Sequence, residues 1–383
     1  MGRLLFTLPV PPQSPELILD DLEQALAGFS TFTPVPLGSH PHEALGVGKP
    51  IDEDVALVVA TSGSTGVPKG ALLSPTNLVS SADATHEALG GPGVWLLALP
   101  AHHIAGIQVL VRSLVAGTVP ISIDVSKGFD VSVFARAARK LDAEAGAFRR
   151  YTALVPLQLR KALESLEGIE ALRLFDAILI GGAPLDENTR VSCERLGITV
   201  VRTYGSSETS GGIIYDGRPL PGARMALAGE RVAVSGPMVA RGYRMFEGAP
   251  ALPASALGAF RPDGWFVTSD TGVIEDGVLR VTGRVDTVID SGGLKLHPEV
   301  LEHALMAVRG VDAAVVVGVP DERLGQAICA VYSGTLSPGE VVEALDDVPR
   351  WQLPKRLLRV DSVPVTGPGK PDRQAIVRLF MES

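Results

Sequence analysis

The stretch "DVALVVATSGSTGVPKGALLS", residues 54–74, sets a continuous apolar run directly before hydroxyls, glycines and a single lysine. The β-branched run reads as a buried strand. The residues after it suit an anion. Gly63 and Gly66 let the backbone turn its N–H groups inward, while Thr61, Ser62, Ser64, Thr65 and Lys69 add donors and positive charge. A plain surface turn has a similar composition, but the position after a strand and the density of donors favour the anion. A Walker-type nucleotide loop is excluded by spacing. That motif needs Gly before its Lys and Ser or Thr after it, whereas Lys69 lies between Pro68 and Gly70.

The 383-residue chain exceeds what one hydrophobic core usually serves, so two or more domains are expected. Its formal net charge of −9 and lack of a basic run argue against nucleic acid or an anionic membrane as partner. Cys193 and Cys329 stand far apart, which suggests neither a disulfide framework nor a zinc site and fits a reducing cytoplasm. Residues 88–111 carry no formal charge, yet Gly90, Gly91, Pro92, Gly93, Pro100 and the pair His102–His103 make them strand, loop and helix start rather than a membrane span.

From residue 55 to about 205, "VALVVA", "VWLLALP", "VPISI", "FDAILIGG" and "ITVVRTYG" alternate with helical patterns such as "DENTRVSCERLG". This alternation predicts an α/β fold with a mostly parallel sheet covered on both faces, whose ligands sit beyond the strands' carboxyl ends. Residues 218–284 read as a β-rich subdomain with a hairpin at Glu275–Asp276–Gly277. From Asp286 onward a compact α+β unit of domain size begins. The expected division is therefore 1–285 and 286–383.

Four later segments share the polar, glycine-rich character of the first. They are "TYGSSETSGG" with Glu208, "WFVTSDTG" with Asp270, "GRVDTVIDSGGLKLHPEVLE" with Arg284 and Asp286, and "GPGKPDR" with Lys370. Each alone is an ordinary polar turn; the ordered set is not. With these motifs the chain resembles the adenylate-forming superfamily of acyl-CoA synthetases, adenylation domains and luciferases, over nearly everything from residue 55 onward. The resemblance implies a large N-terminal domain, a small mobile C-terminal domain, and a hinge at Asp286.

It also implies roles. Thr61, Ser62, Gly63, Ser64, Thr65, Gly66 and Lys69 would hold the phosphates of ATP. Gly181, Gly182, Ala183, Tyr204, Gly205, Ser206 and Ser207 would line the adenine side, with Tyr204 stacking on the base. Glu208 would ligate Mg²⁺, as suits a hard cation that keeps several waters. Asp270 would accept from both ribose hydroxyls and Arg284 would add a ribose contact. Lys370 would reach the carboxylate and α-phosphate, while Gly292 and Gly293 would line a channel for the pantetheine of coenzyme A. His103 would gate the acyl pocket, and Arg112 would bind a second substrate carboxylate. The alternative for Arg112 is an arginine whose stem packs while its head reaches water.

Three positions depart from the superfamily pattern: Ser207 replaces Thr, Ser269 replaces Gly, and His102 replaces an aromatic residue. With only sixty residues before Thr61, the resemblance implies a reduced first subdomain, and a homo-oligomer stays open. "LPAHHIAGIQVLVRSLVAG" and "TALVPLQL" most resemble the o-succinylbenzoate–CoA ligases of menaquinone biosynthesis. Another aryl- or acyl-CoA ligase, or an enzyme loading a carrier protein, are the alternatives. A nucleotide-binding protein without catalysis is disfavoured by the presence of Glu208 and Lys370. The expected partners are ATP, a small carboxylic acid and coenzyme A, in a cytoplasmic enzyme.

Overall fold

The computed structural model describes residues 3–61, 68–253, 256–366 and 370–382. Packing divides the chain into two units, Met1–Ala226 with Ala233–Val267, and Leu227–Val232 with Thr268–Ser383. The strand Trp265–Glu275 runs through this division, which falls ahead of the boundary expected at Asp286. A division by packing and a pivot for motion are separate properties of a chain.

The first unit contains a seven-stranded sheet. Ile121–Ser122, Gly93–Leu97, Arg149–Leu154, Ala177–Ile180 and Val200–Ser206 are parallel neighbours in that order, and Gly211–Tyr215 and Arg218–Pro219 extend it antiparallel. The apolar strands are continuous because both faces are covered. Phe134, Leu141, Leu159, Phe175, Ile178 and Ile180 share one buried cluster, to which the helix Val131–Glu144 contributes. Asp130 starts that helix by accepting from Val133 N at 2.9 Å.

One expectation is corrected. "VALVVA" does not belong to this sheet. Its last four residues fall in the strand Leu57–Thr61 of a separate four-stranded sheet, parallel to Phe32–Pro36 and antiparallel to Lys69–Leu73. A buried apolar run fixes a strand's burial but not its partner. Arg149–Leu154 takes a central place in the parallel sheet instead, with Thr152 Oγ1 donating to Leu96 O at 2.9 Å.

In the second unit, the strands Val311–Asp321 and Gly325–Gly334 pair antiparallel, flanked by Ile289–Ser291 with Leu294–Leu296 and by Arg356–Arg359. Alternation divides their side chains between two cores. Val316, Ile328, Ala330 and Tyr332 pack with Leu301 and Leu305 of the helix Pro298–Ala307. Val315, Val317, Cys329 and Val331 face Ile376 and Phe380 of the helix Arg373–Glu382. The expected hairpin is present: Glu275 pairs with Val278 across Asp276 and Gly277, at φ of 51° and 72°.

Among the described residues, no helix is long and apolar enough to cross a membrane. Residues 93–97 are a strand, and Ile104–Ala116 is a helix.

Candidate active site

Thr61 closes one strand and Lys69 opens the next, as partners in antiparallel register. Ser62, Gly63, Ser64, Thr65 and Gly66 lie outside the described residues. The hairpin packs tightly: a Cβ on Gly70 would come within 2.5 Å of Val58 Cγ1. The chain at 241–244 runs beside it, with Leu72 N donating to Gly242 O at 2.9 Å and Arg244 N to Gly70 O at 2.7 Å.

That pairing brings in Tyr243, a residue the sequence reading missed. Its Oη donates to Glu208 Oε1 at 2.9 Å and accepts from Lys69 Nζ at 3.5 Å. The ammonium also lies 4.7 Å from the ring centroid. Glu208 is 7% exposed and sits in the short turn Ser207–Thr209. Two bonds tie that turn down: Ser206 N donates to Thr209 Oγ1 at 2.9 Å, and Ala240 N to Glu208 O at 2.8 Å. Ser207, the departure from the superfamily's Thr, lies in this same turn. Among the described residues, no group of three or more His, Cys, Asp or Glu could enclose a metal ion. One buried carboxylate suits an ion that completes its shell with water and phosphate oxygens.

Space for a side chain is short at two glycines expected on the adenine side. A Cβ at Gly181 would lie 2.5 Å from Thr203 Oγ1, and one at Gly205 would lie 1.9 Å from Gly211 O. Gly182 has φ of 82°. The segment Gly181–Ala183 follows the strand Ala177–Ile180, while Tyr204, Gly205 and Ser206 end the adjacent strand Val200–Ser206, so the fold brings the two motifs together.

His103 is the N-terminal cap residue of the helix Ile104–Ala116, its ring centroid 4.2 Å from that of His102. Burial lowers the pKa of His102. Arg112, two turns along the helix, is 3% exposed, which removes the alternative of a head in water. Its Cζ lies 5.1 Å from the Trp95 ring centroid and its Nη2 is 3.5 Å from Tyr215 Oη. Among the described residues its Nε has no hydrogen-bond partner. Burial lowers its pKa, and burial followed by the nearby guanidinium lowers that of His86. The residues around it are scattered along the sequence, and nothing near Arg112 in the chain announces them.

The second unit unites three residues that the sequence treats separately. Arg284 Nη1 donates to Asp270 Oδ1 at 2.8 Å. Its Nε and Nη2 grip Asp286 Oδ1 and Oδ2 at 2.8 and 2.7 Å. The Asp286 side chain is 15% exposed, so it is no solvated turn residue. The strand register that sets Asp270 opposite Arg284 makes this possible. Ser269, where the superfamily has Gly, lies in the strand Trp265–Glu275 and is absent from the described non-glycine residues with positive φ, so its Cβ is accommodated. Gly292 and Gly293, at φ of 63° and 84°, turn a hairpin in which Gly293 N donates to Asp290 Oδ1 at 3.0 Å. Lys370 opens a two-residue strand paired with Val365–Thr366; its side chain lies outside what the structure describes.

Comparison with known proteins shows the family. A family model described as AMP-binding enzyme matches residues 12–248, and one described as AMP-binding enzyme C-terminal domain matches residues 300–370. A probable 2-succinylbenzoate–CoA ligase of Mycobacterium tuberculosis is 45% identical over 379 residues, covering 95% of each chain. ATP-bound MatB from Rhodopseudomonas palustris has a TM-score of 0.80 at 23% identity, covering 99% of this chain and 89% of its own. The o-succinylbenzoate CoA synthetase of Bacillus subtilis, in complex with its acyl-adenylate intermediate, has a TM-score of 0.72 at 23% identity, covering 97% and 82%. At such identity the two solved structures speak for the fold.

Proposed function

The chain belongs to the AMP-binding enzyme family, and from that premise we propose that it is a 2-succinylbenzoate–CoA ligase acting in menaquinone biosynthesis. The observation that carries this reading is the 45% identity over 95% of both chains with the mycobacterial relative. The buried guanidinium of Arg112, with no carboxylate of the chain to pair with among the described residues, supports it. A buried unpaired cation is costly. A second substrate carboxylate would offset that cost, and a planar guanidinium suits it.

In the first half-reaction the succinyl carboxylate oxygen attacks the α-phosphorus of ATP. The bond from that phosphorus to the bridging oxygen breaks, and pyrophosphate leaves. In the second, the sulfur of coenzyme A attacks the acyl carbon, the carbon–oxygen bond to AMP breaks, and the thiol proton passes to solvent. Like charges must first be brought together. Lys69 and the phosphate loop bind the polyphosphate, and Lys370 offsets the charge that develops on the α-phosphate. Glu208 would hold Mg²⁺, which supplies charge neutralisation at the phosphate oxygens. Tyr204 and the glycines at 181, 182 and 205 receive the adenine. Asp270 receives the ribose, and Arg284 orients it. His103 gates the acyl pocket. Asp286 is the pivot, and its movement would withdraw Lys370 and bring Gly292 and Gly293 to the pantetheine channel.

A panel of carboxylic acids assayed for pyrophosphate release, with and without coenzyme A, tests the reading. 2-Succinylbenzoate should be the preferred acid, and AMP release should depend on coenzyme A. Preference for another acid would replace the substrate, and AMP release that needs a carrier protein would replace the acceptor.

A further inference from the structure

Lys69 and Glu208 lie on either side of one phenol and do not form an ion pair. Tyr243 Oη donates to the carboxylate at 2.9 Å and accepts from the ammonium at 3.5 Å, while the ring face lies 4.7 Å from the same ammonium. The ring also makes an edge-on contact with Phe260, centroids 5.1 Å apart. Its backbone is fixed by an isolated bridge to Ala71 of the hairpin.

Resting on the roles proposed above for Lys69 and Glu208, we propose that Tyr243 is a positioning residue that keeps these two side chains from neutralising each other. A lysine on a flexible four-carbon stem closes readily onto a nearby carboxylate. The pair so formed would have to break before phosphate could take the ammonium or a divalent cation the carboxylate. The phenol gives one carboxylate oxygen a neutral donor, which leaves the negative charge in place. Its ring gives the ammonium a resting position of moderate strength, which a polyphosphate outbids. Tyr243 thereby keeps both charges available for substrate.

The test is calorimetric titration of ATP at a series of Mg²⁺ concentrations, using the wild type, Tyr243→Phe, Lys69→Gln, the double variant, and Glu208→Gln. The Phe ring preserves the contact with Phe260, and melting temperatures verify folding. Tyr243→Phe should raise the Mg²⁺ concentration for half-maximal ATP binding by about tenfold, the scale of one hydrogen bond to a charged group. In the Lys69→Gln background the same change should have little effect, because the competing ammonium is gone. Should Tyr243→Phe not fold, Tyr243→His, which retains a donor, should keep a lower Mg²⁺ requirement than Tyr243→Leu. An unchanged Mg²⁺ requirement in Tyr243→Phe, or effects of Tyr243→Phe and Lys69→Gln that simply add, would overturn the proposal while leaving the role of Glu208 intact. A Glu208→Gln protein with a wild-type Mg²⁺ requirement would instead overturn the role of Glu208, and the proposal with it.

Discussion

Each unit sets a basic side chain beside carboxylates, and they do so in opposite ways. In the first, Tyr243 stands between Lys69 and Glu208, and neither charge is consumed. In the second, Arg284 binds both Asp270 and Asp286 directly, through three short hydrogen bonds. A planar fork fixes geometry, whereas an ammonium beside a phenol stays free to move. The contrast fits the chemistry proposed for each. Charges that must meet phosphate and metal are kept available, and charges that must hold a ribose site and a pivot in register are bound.

The comparison can be broken most severely at Lys370. Lys370→Ala should slow adenylate formation by about 10²–10³-fold, as for removal of one preorganised charge stabiliser, yet still convert preformed acyl-adenylate to thioester. Equal losses in both half-reactions, measured separately, would remove the assigned role.

Arg112→Leu tests the acyl end. It should cost ~2–5 kcal/mol in kcat/KM for 2-succinylbenzoate, as for truncating one member of a desolvated charge pair. A monocarboxylate analogue lacking the ring acid should lose far less. Equal losses for both acids would make Arg112 a structural cation.

Asp286→Pro breaks the Arg284 fork and fixes φ near −65°. The two half-reactions should then diverge by at least about tenfold, because one domain orientation is favoured. Equal rates would mean that the pivot lies elsewhere.

The smallest effect is on stability. Burial and Arg112 hold the His86 pKa below its ordinary 6.5. The folded state therefore takes up this proton less readily than the unfolded one. The stability involved is present above pH 6.5 and is lost as pH falls through the depressed value. His86→Gln should flatten the acid limb of the melting-temperature profile, and an unchanged limb would contradict the assignment.

Much of the fold is legible in the chain. The apolar runs around 93, 177, 311 and 325 became strands because each is too hydrophobic to face water. Partners were harder to read: "VALVVA" pairs into another sheet, and Arg149–Leu154 opens on two arginines that disguise a central strand. At the site, backbone contact excludes any side chain at Gly205, and the Thr203 hydroxyl crowds the place of one at Gly181. Tyr243 carries no signal of its own. It matters only because the backbone at 241–244 runs beside the hairpin. The burial of Arg112 was equally hidden, since Trp95 and Tyr215 reach it from distant parts of the chain.

The central claim is that a carboxylate oxygen attacks the α-phosphorus. It is tested most directly with 2-succinylbenzoate carrying ¹⁸O in its succinyl carboxylate, turned over with ATP and coenzyme A and followed by mass spectrometry of the AMP. The expected result is one ¹⁸O atom in the AMP phosphate for each thioester formed, with none in pyrophosphate. Thioester formation with unlabelled AMP, or with label in inorganic phosphate, would contradict it.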